Sequence, residues 1–386
     1  MESFPRPKIG KGPDAGQDRY AVRVEQVRNE VVRTNESFPD FRDLPQESLN
    51  DFAYFAVDSN APETDTTTYA DFRPGHNRSL LWSRSEFVDS DGTKFRDLNI
   101  KGTGYVRLDS FRVLHPKKEI LEPRPIEERA NFSGGPVEGY SGLMSLEDAT
   151  IDYEMGEKLA GLGIRASRGI AIIKLNEIYL PGEGMVSMDE LHSGNPPRIR
   201  EDFVPVVYVR AMGTDIRGND FSDPSPLVKR ADPSWLREKN KSALLDAVAM
   251  VESERGMEKG TLTLDAYTEW FAQTLGANIA KLHSNGLCHD SLTNNEYNDF
   301  MPQNVTLDCR IVDLDSVISL SPDEEERSWQ REKDRRKARH VVMTVAWMCE
   351  KARKTERGKL KGGVDFVKKL GEMYDESYGA GLPATN

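Results

Sequence analysis

Apolar side chains recur at helical spacing in the second half of the chain. Between Leu264 and His283 they return every three or four positions, which predicts an amphipathic helix that ends near Gly286. The positions that define this helix are Tyr267, Phe271, Leu275, Ile279 and Leu282. We expect one face of the helix to be buried.

A second helical pattern lies between Ser145 and Leu162. Ser145 and Asp148 stand at the spacing of a capping box, which predicts the first turn, and Gly163 predicts the end. The apolar stripe of this helix consists of Ile151, Met155, Leu159 and Leu162.

Continuous apolar runs predict two buried strands. These are Gly169–Leu175 (GIAIIKL) and Val204–Val209 (VPVVYV), and the polar residues 181–202 between them are typical of a loop. A shorter strand is predicted at Leu98–Ile100, directly before Lys101.

The remaining segments are more polar. We expect a short helix near Arg19–Arg33 and a loop at residues 57–77. The mixed charges of Asp323–Lys337 predict a solvated helix, and Arg339–Cys349 (RHVVMTVAWMC) predicts a buried one.

The order of these elements predicts an α+β protein with two lobes. Strands with one helix come first and helices follow, a pattern typical of a bilobal protein with its cleft between the lobes. We expect a polar N-terminal extension at residues 1–90, a β-rich N-lobe at 91–210 and a mainly helical C-lobe at 211–386.

Composition narrows the possible functions. The chain has 386 residues, of which 37% are hydrophobic and 30% charged, enough for a core and a solvated surface. Its net charge of −12 argues against broad nucleic-acid binding, which needs clustered cations. No apolar run is long enough to span a membrane, and the N-terminus does not resemble a signal peptide. Three lone cysteines indicate a reducing, cytoplasmic setting, with each thiol buried as a small hydrophobe.

The candidate chemistry lies between Leu282 and Val317. Asn304 opens the first strand of a predicted short hairpin, and the second strand ends in Asp313 and Asp315. An amide and a carboxylate at the two ends of a tight hairpin can hold one hard cation such as magnesium. The alternatives are a purely polar hairpin with its turn at Asp308–Arg310, and a helix-capping role for Asp315.

Two residues before the hairpin have different expected roles. His289 is predicted to be structural, with its ring bonded to a backbone carbonyl. Asp290 is a candidate catalytic base for a hydroxyl acceptor.

Five segments, in order, resemble the selenoprotein O family of kinase-like protein AMPylases. Lys101-Gly102-Thr103-Gly104 resembles the family's KGxG, and GEKLAGLGIRASRGIAI (156–172) is similar to SEAMxxLGIPTTRALAV. VVYVRAMGTDIRGNDF (206–221) resembles AVxxRVAPSxxRFGxFE, and GLCHDSL (286–292) resembles GFCHGVM. NVTLDCRIVDLD (304–315) is similar to NMSILGLTIDYG.

The resemblance implies a protein-kinase-like fold and a set of roles. Lys101, with Gly102 and Gly104, would hold the ATP phosphates, and Asn304 and Asp313 would bind Mg²⁺ or Mn²⁺. Arg210 and Arg217 would contact phosphates in a reversed nucleotide pose, in which the α-phosphate faces the acceptor. Solvated lysine and surface salt bridges are the ordinary alternatives for these three cations.

The chain departs from the family at several positions. The family's helix glutamate, which would pair with the catalytic Lys101, falls on Asp152, and Glu154 is the alternative two positions later. Gln303 stands where the family has an aspartate, and an amide cannot take a proton. Residues 293–302 are an insertion, and Asp290 replaces a glycine. Asp152 and Glu154 are also compatible with ordinary solvated acids on a helix.

These features predict an ATP-dependent transferase. The preferred hypothesis is AMP transfer to a serine, threonine or tyrosine hydroxyl of a protein. The first alternative is a kinase that transfers the γ-phosphate to a protein or a small molecule, favoured by Asp290 and the Asp313–Asp315 pair. The second is a nucleotide-binding pseudokinase that acts by interaction, favoured by Gln303 and the short Asp152 side chain.

Overall fold

The computed structural model describes most of the chain. The described residues are 20–58, 61–72, 79–104, 106–114, 118–123, 142–180, 182–193, 198–200, 202–218, 233–289, 302–352 and 363–382. They form two compact units that alternate along the sequence. Unit 1 contains the described residues up to Ile151 together with Gly169–Met212, and unit 2 contains Asp152–Arg168 and most of the chain after Met212. The N-terminal part is rich in sheet and the C-terminal part is mainly helical, as the sequence predicts.

Unit 1 is built from thirteen described strands. They are β1 (Tyr20–Gln26), β2 (Asn29–Thr34), β3 (Tyr54–Ala56), β4 (Thr68–Phe72), β5 (Ser79–Val88), β6 (Lys94–Lys101), β7 (Val106–Leu114), β8 (Lys118–Pro123), β9 (Met144–Ser145), β10 (Arg168–Leu175), β11 (Glu177–Leu180), β12 (Gly184–Ser187) and β13 (Pro205–Met212). Two further described strands, β14 (Leu287–His289) and β15 (Val317–Ser319), belong to unit 2.

Helices follow the same chain order. The described helices are α1 (Pro39–Arg42), α2 (Gln46–Asn50), α3 (Leu146–Gly161), α4 (Met188–Ser193), α5 (Pro233–Glu254), α6 (Leu264–Ser284), α7 (Glu324–Ala352) and α8 (Gly363–Gly381). Helix α3 is capped as predicted, since the Asp148 amide donates to Ser145 Oγ at 2.9 Å. The boundary between the two units falls inside this helix, after Ile151.

One large sheet dominates unit 1. Its strand order is β2-β10-β13-β6-β5-β4-β1-β8-β7, with β3 beside β1 and β9 beside β13. Strands β10 and β13 are almost entirely buried, which confirms the two strands predicted from their apolar runs. Strand β6 pairs with β13 so that Lys101 lies opposite Tyr208, and Asn99 lies opposite Arg210.

The first 90 residues differ from the sequence expectation. In place of a helix near Arg19–Arg33 the structure has β1 and β2, and β4 crosses the range predicted as loop. The described part of the predicted extension therefore supplies β1–β5 of the sheet. Some of its core side chains are separated by polar residues, and others form the continuous buried run at residues 52–57. They include Val22, Val24, Phe38, Phe41 and Phe52, each at most 1% exposed.

The segment predicted as a loop between β10 and β13 is also more ordered than expected. Strands β11 and β12 form an antiparallel hairpin, in which Glu177 pairs with Ser187. Helix α4 follows directly, and its Met188 and Leu191 are buried. These strands and this helix are short and end in polar residues, so their hydrophobic periodicity is too weak to predict them from the sequence.

Unit 2 packs its helices around a second apolar core. The apolar positions predicted for α6 are all buried, and Thr263 caps that helix by accepting from the Ala266 amide. The charged run and the apolar run predicted as two helices form the single helix α7. The three cysteines are buried and free, as expected. Burial raises the pKa of the Cys309 thiol well above its usual value.

Gly102 gives a stability prediction for unit 1. Its φ is +91°, and a Cβ built there would lie 2.3 Å from the Val206 carbonyl oxygen. We expect Gly102→Ala to lower the free energy of unfolding by about 1–3 kcal/mol, since backbone strain adds to a clash with a rigid strand. Urea denaturation followed by circular dichroism measures this change.

Gly92 is the matched control for that substitution. It also has a positive φ, of +80°, but a Cβ there would meet nothing within 4 Å. The Gly92→Ala variant therefore carries the backbone cost without the clash. Equal losses in the two variants would show that the contact with Val206 is unimportant.

Candidate functional site

A tight chain reversal in unit 2 carries the candidate metal ligands. Val305 bridges Ile311, and the Thr306 amide donates to the Arg310 carbonyl at 2.9 Å. The turn includes Cys309, whose φ is +63°. The Val312 amide donates to the Asn304 carbonyl at 3.0 Å, so Asn304 lies beside the residue that precedes Asp313. The reversal has the predicted turn at residues 308–310, but it is held by isolated bridges instead of regular strands.

A largely buried network of charges, which we call the tip network (Arg165, Glu254, Asp308 and Arg310), fixes the tip of this reversal. Arg310 Nε donates to Asp308 Oδ2 at 2.7 Å. Arg165 binds Glu254 through both terminal nitrogens, at 2.8 and 2.6 Å, and also donates to the Asp308 carbonyl. Arg310 Nη2 completes the network 3.3 Å from Glu254.

The tip network is closely packed and strongly charged. A Cβ on Gly213 would lie 2.1 Å from Asp308 Oδ2, so glycine is required beside it. Burial alone would raise the pKa of Glu254, but the Arg310 and Arg165 guanidinium groups outweigh it and hold that pKa below its usual value. The network therefore keeps Glu254 charged and the reversal rigid.

Asp313 has an unusual backbone. Its φ is +57° and its ψ +56°, the left-handed conformation that non-glycine residues adopt at a cost. The conformation turns the chain from the reversal into the short 3₁₀ turn at Leu314–Ser316. Strain of this kind concentrates at functional sites, where the side chain must be held in one place.

Arg217 binds the same aspartate. Its Nη1 donates to Asp313 Oδ2 at 3.0 Å and to the Gln303 carbonyl, also at 3.0 Å. Arg217 is 6% exposed, and its backbone bridges Thr306. The arginine is therefore a buried part of this site and not an ordinary surface salt bridge.

Three aspartates converge next to Arg217, and we call them the aspartate cluster (Asp152, Asp313 and Asp315). One carboxylate oxygen from each lies within 4.8 Å of the others. Asp152 is fully buried, Asp313 is partly buried and Asp315 is exposed. Carboxylate oxygens in such a group can share a hard divalent cation, whose charge would offset their mutual repulsion.

Packing of helix α3 explains why Asp152 joins the cluster. Gly156 lies one turn after Asp152, and a Cβ there would approach the Ser167 carbonyl at 3.0 Å and Leu314 Cδ1 at 3.5 Å. The absent side chain lets α3 approach Leu314, which lies between Asp313 and Asp315. Glu154 is exposed on another face of the helix, so of the two candidate acids only Asp152 lies in the cluster.

His289 connects the strand before the predicted base to the candidate metal site. Its ring Nε2 lies 3.0 Å from the Val312 carbonyl, which matches the predicted structural role. Its backbone amide donates to Asp334 Oδ2 at 2.7 Å. Asp334 is 1% exposed and lies 3.3 Å from His283, so α7 anchors this end of β14. Asp290 lies outside the described residues.

Asp334 is a positioning residue that sequence reasoning missed. It falls within the charged run predicted to be solvated, but it is buried with Gln330 and Ala338, four positions on either side. Ala338 continues into Val341, Val342 and Val345 at helical spacing. Extending that apolar stripe backwards along α7 would have identified Asp334 as a buried acid.

The remaining predicted site residues lie in unit 1. Lys101 is 4% exposed at the end of β6, so the solvated alternative for it is wrong. Gly102 packs on the Val206 carbonyl and Gly104 packs on Phe55, which accounts for both glycines without a ligand. Arg210 is 1% exposed and donates to Asn99 Oδ1 at 2.7 Å from Nη2.

Comparisons with known proteins add little to this geometry. No protein-family model matches the chain, and no curated protein matches it significantly. Among solved structures, it is similar to the kinase domain of a rhoptry antigen specific to Toxoplasma gondii. The two are 10% identical with a TM-score of 0.30, over 81% of this chain and 79% of that one. At this level the match assigns neither a family nor an activity. No helix among the described residues is both long and apolar enough to cross a bilayer.

Proposed function

We propose that the chain is a kinase-like transferase that uses ATP and Mg²⁺ or Mn²⁺, and that the group it transfers is AMP. The observation that carries the proposal is the aspartate cluster, in which a buried Asp152 meets a strained Asp313. The acceptor is a serine, threonine or tyrosine hydroxyl of a protein. The acceptor oxygen bonds to the α-phosphorus, pyrophosphate leaves, and the hydroxyl proton is released.

The residues of unit 2 fit a divalent cation. Asp152, Asp313 and Asp315 would supply the oxygen ligands. The sequence resemblance adds the Asn304 amide as a further hard donor. Such a cation would neutralise phosphate charge when it is bound. Arg217 holds Asp313 in place through the 3.0 Å contact, and the tip network holds the reversal that precedes it.

The roles in unit 1 rest on the sequence resemblance. Lys101, Gly102 and Gly104 are proposed to contact the ATP phosphates, and the resemblance assigns the same role to Arg210 and to Arg217. Asp290 is proposed to accept the hydroxyl proton.

Two observations favour different activities. The presence of Asp315 in the aspartate cluster favours γ-phosphate transfer, since a second acidic ligand is the pattern expected of small-molecule kinases. The bond between Arg217 and Asp313 favours a pseudokinase, since a guanidinium on Oδ2 competes with a metal for that oxygen. One labelling experiment separates the three activities.

The protein is incubated with Mg²⁺ and ATP labelled on either the α- or the γ-phosphate, together with a generic protein acceptor. We expect label from α-labelled ATP on the acceptor or on the protein itself, and none from γ-labelled ATP. Transfer of the γ-label would show that the protein is a kinase and does not transfer AMP. No transfer from either form would leave a pseudokinase, and the thermal shift by ATP would then show whether it binds the nucleotide or nothing.

A further inference from the structure

Unit 1 contains a cavity of about 420 Å³ beside the β11–β12 hairpin. Its walls come from the end of β10, from α4 and from the start of β13, and none of its lining residues belongs to the proposed nucleotide site. The volume lies within the range of sites that bind small molecules.

The frame of the cavity is rigid. The Asn176 amide donates to the Arg28 carbonyl at 2.8 Å, and the Met188 amide donates to the Asn176 carbonyl at 3.0 Å. Glu177 accepts from both the backbone amide and the Nε of Arg28, at 2.9 and 2.5 Å. These bonds hold the walls before any ligand arrives, which lowers the entropic cost of binding.

One part of the lining is apolar. Leu175 is fully buried, and Met188 and Phe203 are each 7% exposed. Met188 and Phe203 offer the accessible part of this surface to a hydrocarbon or aromatic body. Such a surface is typical of small-molecule sites, in which a few polar groups fix the orientation of the ligand.

Two basic side chains in the lining, Lys174 and His192, can form further hydrogen bonds or ion pairs. Among the described residues, no ion pair or side-chain hydrogen bond engages the Lys174 ammonium, although Glu30 is its cross-strand neighbour. The Nε2 of His192 is buried and has no hydrogen-bond partner in the described part of the chain. A buried nitrogen without a partner costs about 1–3 kcal/mol, which a ligand oxygen can recover.

We propose that this cavity binds a small organic anion with an apolar body. A phosphate or carboxylate group pairs with Lys174 and accepts a hydrogen bond from His192, while the body contacts Phe203 and Met188. Asp189 also lines the cavity, and it acts electrostatically on Arg28, which is already paired with Glu177; Lys174 is therefore the cation left to pair with an anion. The inference is independent of the proposed ATP chemistry.

The test uses phenyl phosphate as the probe and the full chain as the receptor. Saturation-transfer NMR should show saturable binding of phenyl phosphate, and inorganic phosphate, which lacks the apolar body, should compete for the site with an affinity at least about tenfold lower. Lys174→Gln should weaken phenyl phosphate binding by about tenfold or more, and Lys174→Arg should retain it. Unchanged thermal midpoints without the probe verify that the variants are folded.

Two control variants establish that the probe binds in this cavity and not elsewhere on the protein. Lys241→Gln removes an exposed lysine on α5 and should leave binding unchanged. Asp313→Asn should also leave it unchanged, because the cavity is distinct from the aspartate cluster. No saturable binding to the wild type, or equal affinities for the Lys174→Gln and Lys241→Gln variants, would overturn the proposal.

Discussion

Replacing Asp313 by asparagine is expected to reduce label transfer from ATP by about a hundredfold to a thousandfold, in line with the loss of one strong electrostatic contact at a reacting phosphate. Asparagine is the informative substitution because it tolerates the left-handed backbone at φ +57° better than alanine does. It also keeps an oxygen for Arg217. The initial rate of labelling, at saturating Mg²⁺ and ATP, measures the effect.

Metal binding gives a second readout for the same variant. Titration of Mn²⁺ followed by electron paramagnetic resonance should show a site in the wild type that is weakened in Asp313→Asn and in Asp152→Asn, because each variant removes one charge from the aspartate cluster. Glu154→Gln is the matched control, since Glu154 lies on the same helix but is exposed. Wild-type labelling and Mn²⁺ affinity in Asp313→Asn would refute the assignment of that residue to a metal.

The largest stability effect is expected from Glu254→Gln. Glu254 receives two bonds from Arg165 and lies 3.3 Å from Arg310. When its charge is removed, Asp308 is the one carboxylate left in the tip network to balance the guanidinium groups of Arg165 and Arg310. Breaking a buried charge pair typically costs about 3–5 kcal/mol, and we expect a loss of that order at pH 7. Urea denaturation at pH 7 measures it.

The pH dependence of this loss has a definite sign. The pKa of Glu254 is lowered in the folded protein, so its contribution to stability is complete above the unfolded-state pKa of about 4.3. The contribution is lost as the pH falls from that value through the folded-state pKa. The difference in unfolding free energy between wild type and Glu254→Gln should therefore shrink as the pH falls below about 4.3. A difference that stays constant over this range would contradict the charged role of Glu254.

An exposed pair of the same type provides the control. Glu183 and Arg198 also form two bonds, at 2.7 and 2.8 Å, but their side chains are 45% and 37% exposed. Glu183→Gln is expected to cost less than about 1 kcal/mol, because water screens the pair. Similar losses in the two variants would show that burial of the tip network does not strengthen it.

Hydrophobic patterns along the chain correctly predicted the elements whose structure depends on neighbouring residues or on burial alone. The α6 helix follows from its apolar spacing, and β10 and β13 follow from continuous apolar runs, because both strands are buried on each face. The cap of α3 follows from Ser145, and the carbonyl contact of His289 from its place in a buried segment. In each case the deciding interaction lies within a few residues or depends on burial alone.

Contacts between residues far apart in the sequence determine the features that the sequence pattern did not predict. The predicted stripe of α3 placed Ile151 inside, but Ile151 is 42% exposed and its neighbour Asp152 is fully buried. The contact of Gly156 with Ser167 and Leu314 sets this rotation, and a periodicity cannot reveal it. Likewise Glu254 and Asp308 are far apart in sequence, so no local signal predicts that they meet through shared arginines.

The alternation of the two units has a consequence for synthesis on the ribosome. Asp152–Arg168 leaves the ribosome before β10 and β13 do, yet its partners in unit 2, Ile311 and Leu314, are made much later. Leu159, fully buried in the finished protein, therefore has no complete core to enter while unit 1 folds. A nascent chain that stalls after Met212 should expose this helix and attract chaperones. For the same reason, dividing the coding sequence at one point cannot yield both units as fragments that fold independently.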